Sequence, residues 1–241
     1  MEKIWIITRR ELASFFDSLI AFIMIVLFLG FSGFFTWISG SDIFMSGQAS
    51  LRPFFGIAYW TLFFFIPALT MRMLAEENKS GTIEMLLTKP VTDRQVILGK
   101  YLATLLLIAV ALALTFPYII TLSRIGNLDG GAVLCGYLAL LLISAAYAGI
   151  GLFTSSITNN QIVAFLSALF IGLFFHIIFQ IVSGSMKGLP GQIFSSLSMT
   201  VHFDSLSRGV LDLKDIVYFL SISFLGLFLT EVSLARRNAF N

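Results

Sequence analysis

The chain has 241 residues, of which 58% are hydrophobic and only 12% are charged, whereas soluble proteins carry about 25% charged residues. This composition excludes an ordinary soluble domain and predicts an integral membrane protein. A net charge of +2 gives no reason to expect a nucleic acid partner, and the single cysteine, Cys135, excludes an internal disulfide or a cysteine-based metal site.

Residues 2–17 are too polar to span a bilayer but are predicted to form an amphipathic helix. Its apolar face comprises Ile4, Trp5, Thr8, Leu12, Phe15 and Phe16. Its polar face comprises Arg10, Glu11, Ser14 and Asp17. Ile6 and Ile7 depart from this pattern. We predict an interfacial helix that either anchors the first span or contacts a partner.

Six apolar runs are long enough to cross the bilayer, whose hydrocarbon core of about 30 Å requires roughly 20 helical residues. The runs lack the two-residue alternation of barrel strands, so the predicted fold is all-α with six transmembrane helices. The predicted spans cover about residues 18–39, 54–74, 101–122, 132–154, 161–183 and 216–234.

Lys and Arg are unevenly distributed between the two sets of segments that flank the spans. With the N-terminus inside, ten of the fifteen Lys and Arg lie on the inner side. The positive-inside rule therefore predicts that both termini and the loop at residues 76–100 are cytoplasmic.

The loop at residues 76–100 must stay outside the hydrocarbon, because each charged residue at a helix centre costs about 2.5–3.5 kcal/mol. Within it, Ile83, Leu86 and Leu87 have the spacing of one helical face, and Pro90 cannot continue that helix. We predict a short helix followed by a sharp turn.

A second helix is predicted to begin at Thr92 and to run directly into the third span. The hydroxyl of Thr92 and the side chain of Gln95 have the spacing of a capping box. A short exposed helix joined in this way to a transmembrane helix could act as a lever.

The outer segment at residues 184–215 mixes apolar residues with serines and a few charges, which predicts short amphipathic helices before the last span. Asp212 is predicted to cap the last span. His202 is interpreted as a capping or interface residue of this segment. Pro117 is expected to kink the third span.

The six spans contain no Asp, Glu, Lys or Arg away from their ends. His176 and Gln180, one turn apart in the fifth span, are predicted to form a polar contact between helices rather than to bind substrate. The sequence also lacks a G-x-x-x-x-G-K-[ST] phosphate loop. We therefore predict no ATP hydrolysis, no catalytic residue and no metal site in this chain.

Three stretches resemble the ABC-2 type permeases, the membrane subunits of a class of ATP-driven transporters. The loop reads E-E-x-x-x-G-T-I-E-x-L-L-x-x-P-V-T from Glu76. Residues 151–165, GLFTSSITNNQIVAF, resemble the family's inner turn between the fourth and fifth spans. Residues 202–221, HFDSLSRGVLDLKDIVYFLS, resemble its outer segment before the last span. Within the family, the chain looks most like the permeases associated with bacterial gliding motility.

The resemblance implies that the loop at residues 76–100 docks as a coupling helix on a separate cytoplasmic ABC ATP-binding subunit, which would bind ATP and Mg²⁺. It also implies a bacterial inner-membrane exporter in which two permeases, as a homodimer or a heterodimer, enclose the path. By matched positions, the residues at or beside the coupling contact are Glu76, Glu77, Gly81, Thr82, Glu84, Leu86, Leu87 and Pro90.

Two alternatives remain open at this stage. The first is a scaffold or passive channel without catalytic activity, whose cytoplasmic loop is only a docking segment. The second is an intramembrane metalloprotease, suggested by the Glu76-Glu77 pair and two histidines. It is disfavoured because Gly81 stands where that class has Arg and because an outer loop separates His176 from His202.

Overall fold

The computed structural model describes residues 2–38, 50–81, 91–186 and 188–240, with side chains as far as Arg236. Every regular element within these residues is helical. The helices are α1 Glu2–Asp17, α2 Ile20–Trp37, α3 Arg52–Thr70, α4 Ala75–Ser80, α5 Asp93–Ala113, α6 Phe116–Ile125, α7 Gly130–Ser156, α8 Gln161–Leu173, a π-helical turn Phe174–Ile178, α9 Phe179–Ser185, α10 Leu189–Ser196, α11 Met199–Ser207 and α12 Leu213–Phe240.

Six stretches of the described chain are long and apolar enough to cross a bilayer, which confirms the predicted all-α class and the number of spans. The first is α2, the second combines α3 and α4, and the third combines α5 and α6. The fourth is α7, the fifth runs from α8 through the π-helical turn to α9, and the sixth is α12. The stretches are Ile20–Trp37, Arg52–Ser80, Asp93–Ile125, Gly130–Ser156, Gln161–Ser185 and Leu213–Arg236.

Helix α7 is the centre of the bundle and the most deeply buried of the six spans. Small residues along it allow its neighbours to come close. A Cβ atom on Gly136 would lie 2.2 Å from the ring of Phe55, and one on Gly151 would lie 2.0 Å from Oγ1 of Thr70. Small residues at helix crossings are the usual means of packing inside a membrane, where association depends on close contact.

The last span crosses α7 at a pair of glycines. A Cβ atom on Gly226 would lie 2.5 Å from the carbonyl carbon of Gly149. The two backbones are therefore in direct contact at this crossing, with no space for a side chain.

The third span is broken near Pro117, where the sequence predicts a kink. Helix α5 ends at Ala113, and α6 begins at Phe116 with Pro117 in its first turn. At the break, the hydroxyl of Thr115 donates to the carbonyl of Leu112 at 2.6 Å. The proline cannot donate a backbone hydrogen bond, so the regular helix restarts there.

Local start signals of the helices are confirmed. Thr92 and Gln95 form the predicted capping box, and α5 continues from it into the third span. The carboxylate of Asp212 accepts from the backbone N–H of Lys214 at the start of the last span. The outer segment contains the two short helices α10 and α11.

Helix α1 packs against α5. Thr8 and Phe15 are buried in the protein, and Trp5 is 60% exposed. Glu11, assigned to the polar face, has a side chain that is only 14% exposed, because it takes part in the ion pair described below. The interfacial position of this helix stays a prediction.

Replacing Gly226 by Ala is expected to destabilise the protein by about 1–3 kcal/mol, because the added methyl group overpacks the crossing with α7. The matched control is Gly30→Ala, where a Cβ atom would meet nothing within 4 Å. Thermal unfolding of both variants in the same detergent measures the difference. Equal unfolding temperatures for the two variants would contradict the close crossing.

Candidate functional site

One end of the bundle, here called the proximal face, brings together α1, α4, the start of α5, the turn between α7 and α8, and the end of α12. Its main feature is the buried ammonium of Lys100, whose side chain is 2% exposed. Nζ of Lys100 lies 2.7 Å from Oε1 of Glu77 and 3.5 Å from Oε1 of Glu11. This ionic cluster of Glu11, Glu77 and Lys100 joins α1, α4 and α5, three elements that are distant in sequence.

A lysine is almost never fully buried without partners, because removing its charge from water costs several kcal/mol. The two carboxylates offset that cost, and both are themselves mostly buried, at 14% and 17% side-chain exposure. Removing Lys100 would leave the mostly buried Glu77 carboxylate without its cation, and removing Glu77 would leave the ammonium with only the more distant Glu11. The cluster therefore fixes the relative positions of the three helices.

The residue before Lys100 allows α1 to reach it. A Cβ atom on Gly99 would lie 2.5 Å from Cγ2 of Ile7 and 3.4 Å from the carbonyl oxygen of Ile4. A larger residue at position 99 would push α1 away from α5. Glu11, one turn further along α1, would then lose its contact with Lys100.

Beside the cluster lies a cavity of about 300 Å³. The described charged residues that line it are balanced, with three cations and three carboxylates. Four of them form two further ion pairs, Arg10 with Glu11 at 2.9 Å and Arg72 with Glu76 at 3.8 Å. The lining includes Arg10, Arg72, Lys100, Glu11, Glu76 and Glu77.

The short helix α4 is held on a second side by Ser155, near the end of α7. The hydroxyl of Ser155 accepts from the backbone N–H groups of Leu74 and Ala75 at 3.1 and 3.0 Å, and it donates to the carbonyl of Met71 at 3.0 Å. One side chain thus satisfies three backbone groups that the break between α3 and α4 leaves free.

Asn78 adds a third attachment of α4. Its amide donates to the carbonyls of Ser156 and Thr158 at 3.3 and 3.4 Å. Helix α4 is therefore fixed both to α5, through Lys100, and to the end of α7.

The end of the sixth span also reaches the proximal face. Nε of Arg94, near the start of α5, lies 2.6 Å from Oε1 of Glu231 in α12. Arg94 is 72% exposed, so this pair contributes orientation more than stability.

The residues expected at the coupling contact differ in their exposure and in their partners. Glu76 is exposed, whereas Glu77 is committed to Lys100 inside the chain. Gly81 ends α4 with a φ of +69°, a left-handed conformation that glycine adopts at helix ends without strain. Thr82, Glu84, Leu86, Leu87 and Pro90 lie outside the described residues.

Sequence analysis missed Glu11, Gly99 and Ser155 as members of this site, and it gave Lys100 no ion-pair partner. No spacing within one helix links Lys100 to its partners. The one local signal was a Gly-Lys pair on a helix that enters the membrane, where a lysine needs either water or an anionic partner.

His176 and Gln180 are not brought together. His176 is 1% exposed, and its Nδ1 lies 2.7 Å from Oη of Tyr147 in the fourth span. Gln180 is exposed. His176 lies within the π-helical turn Phe174–Ile178 and Gln180 lies just after it, and the wider spacing of the turn changes which residues share a face.

His202 joins the short helices α10 and α11 to the last span, α12. Its Nδ1 lies 2.6 Å from Oδ1 of Asp215 in α12, and its Nε2 lies 3.0 Å from the carbonyl oxygen of Ser196 in α10. Tyr218 stacks on the ring at 4.0 Å. His202 is thus an interface residue between two short helices and the last span.

A family model described as ABC-2 family transporter protein matches residues 40–234, most of the chain. The chain belongs to the ABC-2 transporter family. It is therefore a multi-pass membrane permease of an ABC transporter. The comparison with individually curated proteins gives no match. Of the ionic cluster in this ABC-2 permease, Glu77 and Lys100 lie within the family match, and Glu11 precedes it.

Replacing Lys100 by Met is expected to destabilise this ABC-2 permease toward the lower end of about 3–5 kcal/mol, because the largely buried Glu77 loses its cation and Glu11 keeps only Arg10. Chemical or thermal unfolding in detergent measures the change. Adding Glu77→Gln to Lys100→Met should restore part of the loss. The control is Lys79→Met, at an exposed position of α4. A loss for Lys100→Met no larger than that of the control would show that the cluster does not hold the helices together.

Proposed function

We propose that this chain is the permease subunit of an ATP-driven exporter in a bacterial inner membrane, and that a separate ATP-binding subunit docks on the proximal face from the cytoplasm. The resemblance of the loop at residues 76–100 to the coupling segment of ABC-2 permeases supports the docking position. The ATP-binding subunit would bind ATP and Mg²⁺. A homodimer, or a heterodimer with a related permease, would enclose the path.

The observation that carries this proposal is the ionic cluster of Glu11, Glu77 and Lys100. The helices that flank the loop are α4 and α5, and Lys100 joins them directly to each other. A force applied to the loop therefore reaches both helices and, through Glu11, also α1. A loop that served only as a connector would not require a buried charge at its base.

The contacts of α4 give that force a route to the centre of the bundle. Ser155 and Asn78 attach α4 to the end of α7, the most buried span. A tilt of α4 would thus move the end of α7 as well as the third span. We infer that ATP-driven closure of the partner subunits tilts these spans as a group.

The residues expected at the coupling contact then have two roles. Glu76 and Gly81 are exposed and available to a partner. Glu77 is a positioning residue that holds α4 on α5. Thr82, Glu84, Leu86, Leu87 and Pro90 remain proposed contact residues on the strength of the resemblance.

Replacing Gly81 by Trp is expected to reduce recovery of an ATP-binding subunit by about tenfold, because a bulky group at the docking surface prevents close approach of the partner. The measurement is purification of the tagged permease from membranes, followed by identification of bound cytoplasmic proteins and an ATPase assay. A substitution at Glu84, Glu84→Lys, should act in the same direction.

Gly188→Trp is the control for Gly81→Trp, and it is the more strained of the two substitutions, since ψ is −150° at Gly188 and 5° at Gly81. Both glycines have positive φ, and a Cβ atom at either meets none of the described residues within 4 Å, but Gly188 belongs to the segment at residues 184–215. Recovery of the ATPase should be unaffected by Gly188→Trp. Equal recovery with both variants, or no ATPase with the unmodified chain, would overturn the docking proposal and favour a scaffold or channel.

The proposed orientation has its own test, for which the single buried cysteine, Cys135, gives little background. A membrane-impermeant maleimide added to spheroplasts should label Lys214→Cys at once, and Lys79→Cys only after permeabilisation. Both lysines occupy exposed positions. Labelling of Lys79→Cys in intact spheroplasts would place the proximal face outside.

A further inference from the structure

A second polar centre lies among the spans, away from the proximal face. The imidazole of His176 is surrounded by aromatic rings of the second and fourth spans. Tyr59 stacks on it with ring centroids 4.1 Å apart, and the centroids of Trp60 and Phe63 lie at 4.3 and 4.9 Å. Tyr147 provides the hydrogen bond to Nδ1. We call this group the His176 cluster.

The backbone of His176 is fixed as well as its ring. The hydroxyl of Thr200 in α11 donates to the carbonyl oxygen of His176 at 2.5 Å and lies 2.9 Å from Oη of Tyr59. His176 also lies within the π-helical turn, an irregularity that is frequent at functional sites. His176 is thus held by three other elements of the fold, by α3 and α7 through its ring and by α11 through its backbone.

The other ring nitrogen, Nε2, is buried and has no hydrogen-bond partner among the described residues. The hydroxyl of Tyr147 has Nδ1 of His176 as its partner. If Nδ1 carried the proton, the buried phenol hydrogen would be left without an acceptor. The favourable arrangement is therefore that Tyr147 donates to Nδ1 and that Nε2 carries the ring proton as an unused donor.

Trp60 separates the cluster from the surroundings of the bundle. Tyr59, Phe63 and Tyr147 are at most 4% exposed, whereas Trp60 is 44% exposed. Phe64, one turn further along the second span, is also 48% exposed. An apolar molecule dissolved in the bilayer would meet Trp60 and Phe64 before it reached His176.

We propose that His176 is a binding residue for a hydrophobic molecule that carries an oxygen acceptor, such as a carbonyl, and that the molecule reaches Nε2 by displacing the indole of Trp60. The aromatic rings bind its apolar body, and the Nε2–H group binds its oxygen. This inference rests on the proposed transport function and narrows the class of substrate. Its test is carried out without an ATPase, so that its failure and the failure of the docking proposal remain distinguishable.

The probe is benzophenone, which has one carbonyl acceptor between two phenyl rings and, under near-ultraviolet light, inserts into neighbouring C–H bonds. The full chain in lipid nanodiscs is irradiated with the probe, and adducts are located by mass spectrometry. Adducts are expected on the second and fifth spans near Phe64 and residues 174–178. Fluorenone in excess should protect these positions, whereas fluorene, which has the same shape without the oxygen, should not.

Substituting His176 by Phe keeps a ring but removes the donor, and it should lower this labelling about fivefold, as expected for one lost hydrogen bond. His176→Gln keeps an N–H donor and should retain more of the labelling than His176→Phe. Labelling of the exposed Phe22 in the first span serves as the internal control, and it should not change.

Trp60→Ala should raise the initial rate of labelling at residues 174–178, because the indole no longer blocks the approach to His176. Equal labelling of the wild type and His176→Phe, or equal protection by fluorene and fluorenone, would overturn the donor role and show simple partition into an apolar surface. An unchanged or lower rate with Trp60→Ala would overturn the proposed route past the indole.

Discussion

The arrangement of the proximal face depends on one electrostatic requirement, the need of the buried Lys100 ammonium for anionic partners. Glu77 and Glu11 meet it from two directions, and in doing so they hold α4 and α1 against α5. The same requirement explains why Glu11, on the polar side of α1, packs inside the protein. Glu11 turns toward Lys100.

The packing of the helices also requires small residues where two helices cross. Both the buried ion pair and the backbone contacts form only where the helices come close together. Gly99 lets α1 come near enough for Glu11 to reach Lys100. Gly149 and Gly226 do the same for the crossing of α7 with the last span. Ser155 then links the central span to α4. The proximal face and the core of this ABC-2 permease are thus joined through a short chain of contacts, and the proposed coupling follows from that connection.

Features encoded within one segment could be predicted from the sequence. Runs of Leu, Ile and Phe give the six spans, and Thr92 with Gln95 gives the start of α5. Contacts between distant segments could not be predicted in this way. Lys100 and Glu77 are 23 residues apart, and Tyr147 and His176 are 29 residues apart. The π-helical turn was also missed, because FFHII resembles the rest of its span in composition. The position of the coupling contact could therefore be predicted only from the family resemblance. The ionic cluster could not be predicted at all.

The central claim is that α4 and α5 move as one body because Lys100 joins them. Spin labels at positions 79 and 102, both exposed, report the distance within that body, and labels at 79 and 214 report its position relative to the outer segment. The most direct measurement is double electron–electron resonance on the complex with its ATP-binding subunit, with and without ATP. The account predicts that the distance from 79 to 102 stays constant while the distance from 79 to 214 changes. A change between 79 and 102 as large as that between 79 and 214 would contradict it.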